Sequence, residues 1–343
     1  MRYSPLSATI NSMLWGITGH DWAVQILRHH IANAETRHAY LFTGARGVGR
    51  RSLALRFAQA LNCPSPTAPG EPCMTCLTCK QIERQQHADL AIIASETEGG
   101  TLKVEQVREL QHSLSLAPYA APYRIALLLR FHEANPSAQN ALLKTLEEAP
   151  PRAILLATAD SVESLLPTIV SRCEVLRLRP MALDTLAAEL EQRGSPPAQA
   201  RLLAHLASGR LGYALQLKDN PEAVKRRQEI AEDLLHLFSA NRYDRFKHAE
   251  KLAKEEKTTL REVLQAWLTL ARDLMLVASG EPVGLVHIDL LEPLQRLCAS
   301  LTLAQACQLA ASLQQALTRL DANVNTRLAL EVLLLDLPFV SNL

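Results

Sequence analysis

The sequence predicts an α/β first half followed by an all-helical remainder. Three observations predict it. Apolar runs of strand length at 38–42, 91–94, 123–129 and 153–158 alternate with stretches whose apolar residues recur at helical spacing. A Gly-rich loop and a helix follow the first of these runs directly, which is how an α/β protein builds an anion site. After Cys173 the composition shifts, and Leu183, Leu186, Ala187 and Leu190 open a series of helical stripes.

Composition agrees. A chain of 343 residues exceeds one compact core and suggests two or three domains. Hydrophobic residues at 48% are enough for buried cores, and abundant Leu and Ala with only 4% aromatics favour helices. A net charge of +1 exerts no global pull on nucleic acid or membrane, so any DNA contact must come from a local patch or from partner chains. The N-terminus shows no basic-then-apolar signal, and no run of 18 apolar residues occurs, so the expectation is a soluble, cytoplasmic protein without membrane contact.

Residues 1–14 carry no signal. Ile17-Thr18-Gly19-His20 precedes a helix with Ala23, Ile26, Leu27 and Ile31 on one face. The strand at 38–42 runs into Gly44-Ala45-Arg46-Gly47-Val48-Gly49-Arg50-Arg51-Ser52. Gly44 and Gly49 fit the GxxxxGK[ST] spacing, with Gly47 between them. The two chemical positions differ. Arg50 stands where Lys reaches phosphate, and Arg51 where a hydroxyl holds Mg²⁺, a task no guanidinium can perform. Ser52 comes one place late. The expectation is a retained loop fold without hydrolysis, and ATP binding is in doubt.

Cys63, Cys73, Cys76 and Cys79 have the spacing C-x9-C-x2-C-x2-C in a Pro- and Gly-containing loop. Four thiolates can close a tetrahedral Zn²⁺ site with no open position, so the ion would be structural. Incidental reduced thiols are the plainer reading. A DNA-gripping zinc ribbon is another, weakened because only Lys80 and Arg84 are basic nearby. Further on, YRIALLL ends in Arg130-Phe131-His132-Glu133; the His–Glu step reads as surface or capping.

The stretch NALLKTLEEAPPRAILLATADSVESLLPTIVSRC, residues 140–173, carries the most specific signal. It resembles the helix, sensor-1 strand and SRC motif of clamp-loader subunits in the AAA+ superfamily. That resemblance covers essentially the whole chain. It implies a parallel sheet in an AAA+ domain at 1–179 with a zinc knuckle at 63–79. A helical lid at 180–219 and a helical collar at 220–343, which joins subunits into a ring, would follow. It places Arg130 and Phe131 at the positions of the family's Mg²⁺-binding and water-activating carboxylates. Tyr213 falls at the sensor-2 arginine, with Arg210 three positions early. The charged stretch 218–262 reads as a solvated face, and Cys298 and Cys307 as core thiols.

Within the family the resemblance is to a non-hydrolysing subunit. Its implied partners are motor (gamma/tau) and delta subunits, with the sliding clamp and primer-template DNA reached through the complex. Arg172 of the SRC motif would act in trans on a neighbour's ATP; the bland alternative is a salt bridge to a carboxylate. An ATP-hydrolysing motor subunit and a stand-alone DNA-binding zinc protein are the other classes. Single-chain ATPase would favour the first, and salt-dependent DNA binding the second.

Overall fold

A computed structural model describes residues 14–340 apart from Glu98 and Asn323. The expected start of the last helix at Asn323 therefore lies outside the described residues. The chain forms two compact units that meet in sequence between Met181 and Ala182.

The first unit is built on one parallel sheet of β1 (Ala39–Thr43), β2 (Leu90–Ile93), β3 (Arg124–Leu128), β4 (Ala153–Ala159) and β5 (Glu174–Arg177). Their order is β2-β3-β4-β1-β5. Parallel pairing demands long crossovers, and these cover both faces, so central strands are buried on each side. All of β1 and all of β4 are buried. The period of two then sorts side chains between two cores. Tyr40, Phe42, Ile125, Leu127, Ile154 and Leu156 face the core shared with α1 (Asp21–Ala32) and α2 (Arg50–Asn62). Leu41, Ala126, Leu128, Leu155 and Ala157 face the core shared with α4 (Val104–Ser115), α5 (Pro136–Glu147) and α6 (Pro167–Val170). Between them in sequence, α3 (Leu77–Glu83) closes the cysteine loop.

Helix ends follow local chemistry. Asn135 caps α5 through its side chain, and Pro136 occupies its first turn, where no amide partner is lost. Asp89 is fully buried and takes the amides of Tyr119, Ala120 and Ala121 at 2.7, 2.7 and 3.0 Å, plus Arg124 Nη1 at 3.3 Å. Burial alone raises a carboxyl pKa. Here the three amides outweigh it and hold Asp89 below the ordinary range.

The second unit is wholly helical among its described residues. α7 (Leu183–Gln192), α8 (Pro197–Leu206) and α9 (Leu211–Asp219) come first. Gly194, at φ +84°, ends α7 in the left-handed region, and Pro197 begins α8. α10 (Pro221–Ser239), α11 (Arg242–Leu252), α12 (Lys257–Ala278), α13 (Leu291–Cys298), α14 (Leu303–Asp321) and α15 (Thr326–Leu335) enclose a separate core around Trp267. The indole of Trp267 donates to the Ile230 carbonyl at 2.9 Å.

Two expectations are corrected here. Cys307 is exposed, because the buried stripe of α14 runs through Ala306, Leu309, Leu313, Ala316 and Leu320 and leaves 307 on its flank. Cys298 is half-buried against the core. The charged stretch is not all solvated either. Arg245 is 5% exposed and donates to five main-chain carbonyls: Leu237, Phe238, Leu334, Leu337 and Pro338. These lie at or just beyond the C-terminal ends of α10 and α15, where a cation complements the helix dipole. Burial pulls the Arg245 pKa below its ordinary value.

Candidate functional site

The loop after β1 is set by its glycines. Gly44 lies at φ +144°, and a Cβ there would meet the Leu178 carbonyl oxygen at 2.4 Å. Its amide donates to Ala159 and Asp160 carbonyls at 3.3 and 3.2 Å, rooting the loop at the end of β4. Gly47 and Gly49 also have positive φ, and Gly49 immediately precedes α2. His20, 2% exposed, bonds through Nε2 to the Val48 carbonyl at 2.8 Å.

That rooting brings Asp160 to Arg50. Arg50 Nη1 lies 2.6 Å from Asp160 Oδ1, a close charge contact rather than a well-directed hydrogen bond. The Arg50 side chain is only 10% exposed, while that of Asp160 is 52% exposed. His132 Nε2 approaches the other Asp160 oxygen at 3.4 Å. Arg51 and Ser52 are exposed. Where a phosphate-binding lysine would point outward, this arginine is folded onto the protein's own carboxylate.

The end of β3 is closed in the same manner. Arg130, with φ +51°, donates through Nε to both Glu133 oxygens at 3.1 and 2.9 Å. Its Nη2 reaches the carbonyl and hydroxyl oxygens of Ser95 at 3.2 and 3.1 Å. Glu133 also accepts from the Ser95 hydroxyl and, at 2.9 Å, from the Gly99 amide. Burial would raise this carboxyl, but the Ser95, Gly99 and Arg130 donors keep it low. Phe131 is fully buried in the core. Glu133 is thus no surface or capping residue, correcting the sequence reading. Its carboxylate locks the arginine that occupies the expected acidic position.

The four cysteines converge. Cys63, Cys73, Cys76 and Cys79 place their sulfurs within 4.8 Å of one another. Backbone amides of Cys73, Cys76 and Cys79 donate to the sulfurs of Cys63, Cys73 and Cys76 at 3.4, 3.3 and 3.3 Å. Amides aimed at sulfur favour thiolate, and those of Cys76 and Thr75 bring Cys73 down to about 6. Burial pushes Cys63 and Cys79 up. An all-sulfur donor set of this size fits a tetrahedral, thiophilic divalent ion. The loop is tied to the N-terminal segment through Trp15 Nε1 to the Gly70 carbonyl at 2.9 Å and Arg28 to Glu71 at 2.8 Å.

The SRC segment follows α6. Cys173 packs against the core, and burial raises its thiol to about 12. Arg172 points outward, 36% exposed. It donates through Nη1 to the Thr168 carbonyl at 2.9 Å and through Nη2 to Glu147 Oε1 at 2.8 Å. Gln139, buried on α5, accepts from the Leu166 amide at 2.9 Å and so fixes where α6 begins.

In the second unit, Arg210 stacks over the Tyr213 ring at 4.7 Å, and the Tyr213 hydroxyl accepts from Arg227 at 3.1 Å. Sequence reasoning missed Asp160, Ser95, Gln139 and Glu147. The acidic residue directly after β4 was the available signal for Asp160. The other three partners act across 25 to 38 residues of chain, with no local pattern.

Sheet order and glycine loop together define a parallel α/β module in which Arg50 and Arg130 are paired with the protein's own carboxylates. Sequence models of two domains match: "DNA polymerase III, delta subunit" over residues 19–182, and the corresponding C-terminal domain over 221–338. The DNA polymerase III subunit delta' of Bacillus subtilis is 27% identical over 92% of this chain and 94% of its own length. The delta' subunit of Pseudomonas aeruginosa is 34% identical over 50% of this chain and 52% of its own. The tau subunit of Escherichia coli is 35% identical over 59% of this chain but only 32% of its own length. The chain belongs to the delta-prime family of DNA polymerase III clamp-loader subunits.

Proposed function

We propose that this chain is the non-hydrolysing member of the clamp loader, which helps ATP-driven subunits place the sliding clamp on primed DNA. The observation that carries this is the pair of internal locks, Arg50 on Asp160 and Arg130 on Glu133. Phosphoryl transfer needs a metal ion and a group that positions water. Arg51, where a hydroxyl would hold Mg²⁺, and Arg130, where a carboxylate would, are guanidinium groups, which cannot ligate a metal.

Arg172 is the chain's contribution to chemistry in this reading. A guanidinium is always charged, planar and able to bond two phosphate oxygens at once. Placed against the ATP of a neighbouring tau/gamma-type motor subunit, it stabilises charge on the transferring phosphoryl group. Exposure of Arg172 beside the free end of α5 supports this. A delta-type subunit and the clamp are the further partners, with DNA met through the complex. Residues 180–219 serve as a lid and 220–343 as the ring-forming collar, in a cytoplasmic assembly. Cys63, Cys73, Cys76 and Cys79 hold one structural Zn²⁺.

The test is Arg172→Ala in the reconstituted complex. Ring mass should be unchanged, while clamp- and DNA-stimulated hydrolysis slows. Such arginines contribute about 10³–10⁵-fold where chemistry limits; the total falls by less, since other sites keep their own. The pairing with Glu147 favours a second reading, a plain surface salt bridge. Wild-type loading by both Arg172→Ala and Arg172→Lys would establish that one instead.

A further inference from the structure

We infer that Glu147 is a positioning residue for Arg172, holding its guanidinium in the plane in which it meets the neighbour's phosphates; this rests on the trans-acting reading of Arg172. Glu147 ends α5, and Arg172 follows α6, 25 residues later. Glu147 Oε1 takes Nη2 at 2.8 Å, and the Thr168 carbonyl takes Nη1 at 2.9 Å. Two acceptors on different elements fix both the plane and the direction of the fork. Of the five N–H donors of arginine, these contacts engage two, leaving a set for a second anion.

The pair is open to the outside, at 36% and 52% side-chain exposure. Exposed pairs contribute little to folding, so stability gives Glu147 no evident task. Orientation does. A long side chain recruited to phosphate loses rotamer freedom, and a guanidinium already held has less to lose. The local charge permits this. Glu147 lines an open cleft of about 380 Å³ together with Arg37, His38 and Arg152. Arg37 and Arg152 line that cleft and Arg172 pairs with Glu147, so one carboxylate stands among cationic residues.

The experiment uses the complete complex with motor and delta-type subunits, clamp and primed DNA. The difference in kcat between wild type and Arg172→Ala defines the share of hydrolysis that depends on Arg172. Glu147→Ala should cut that share about fivefold, with KM for ATP unchanged. Glu147→Gln keeps an acceptor oxygen at the same reach and should recover most of it. Unchanged complex mass and thermal midpoint exclude a folding defect. A Glu147→Ala complex as fast as wild type, or faster, would overturn the positioning role, as would a Gln variant no better than Ala. If Arg172→Ala is itself silent, the trans-acting reading falls and this one with it. A slow Arg172→Ala beside a silent Glu147→Ala removes the positioning role alone.

Discussion

Replacing Arg245 with Met tests how the second unit is held together. The variant keeps most of the stem and removes five donor contacts to buried or part-buried main-chain carbonyls. Each hydrogen bond from a charged group contributes about 1.5–3 kcal/mol, but five do not add, and water can replace the one to Pro338, which is only part-buried. Removing the cation also recovers its desolvation cost. Leaving buried carbonyls without a donor costs about 1–3 kcal/mol apiece, so the net loss is on the order of 3 kcal/mol, a large share of a typical domain's stability. A two-unit chain has no single unfolding free energy, so the assay should be local. Amide exchange in peptides spanning 234–252 and 326–338 should quicken about a hundredfold or more, since every 1.4 kcal/mol is about tenfold. Peptides from β1 and α2 serve as the internal control. Exchange within about threefold of wild type would refute the argument that these carbonyls depend on Arg245.

Other outcomes follow from the first unit. Purified protein should carry about one Zn²⁺, and Cys76→Ser should release it, with elemental analysis and thiol titration as readouts; four freely reactive thiols in native, metal-free protein would refute the site. Arg50→Lys with Arg51→Thr should give no ATP turnover if, as proposed, Arg130 and Phe131 stand where hydrolysis needs carboxylates; steady hydrolysis by the wild type or the variant would show the centre to be misread. Asp89→Asn should cost about 2–4 kcal/mol near pH 7, read locally as faster amide exchange in peptides spanning 89–93 and 117–128. The depressed Asp89 pKa sets the sign. Its stabilisation is complete above the unfolded carboxyl value of about 3.9 and is lost as pH falls through the lower folded value. The gap between wild type and Asn should therefore narrow at acid pH, and a constant gap would refute the assignment.

Much of this was legible in the sequence. Apolar runs and the Pro–strand–helix order around residues 136–173 yielded the strands, because burial on both sheet faces leaves a continuous apolar signature. Gly44 and Gly49 marked the loop, since a Cβ at 44 would strike Leu178. The partners of the arginines were not legible. Asp160 meets Arg50 only because β1 and β4 are neighbours, and strand order is not written in any local pattern. Arg245 looked solvated because α11 is charged nearly throughout; nothing nearby signals that helix ends from residues 237 and 334 arrive at its side chain. Cys307 was misplaced because one position of slip on a helix turns a side chain by about 100°, from core to flank.

The tie between Trp15 and the cysteine loop has an optical consequence. The chain has three tryptophans, of which Trp15 and Trp267 are buried and Trp22 is partly exposed. Trp15 alone donates its indole N–H to the cysteine loop, while its ring stacks on Phe57 at 6.3 Å. A Trp22→Phe, Trp267→Phe protein would therefore have one tryptophan, hydrogen-bonded to the segment that carries the four cysteines. Its emission would register the opening of that segment directly, giving the cysteine loop a built-in signal that can be followed in real time, without added dye.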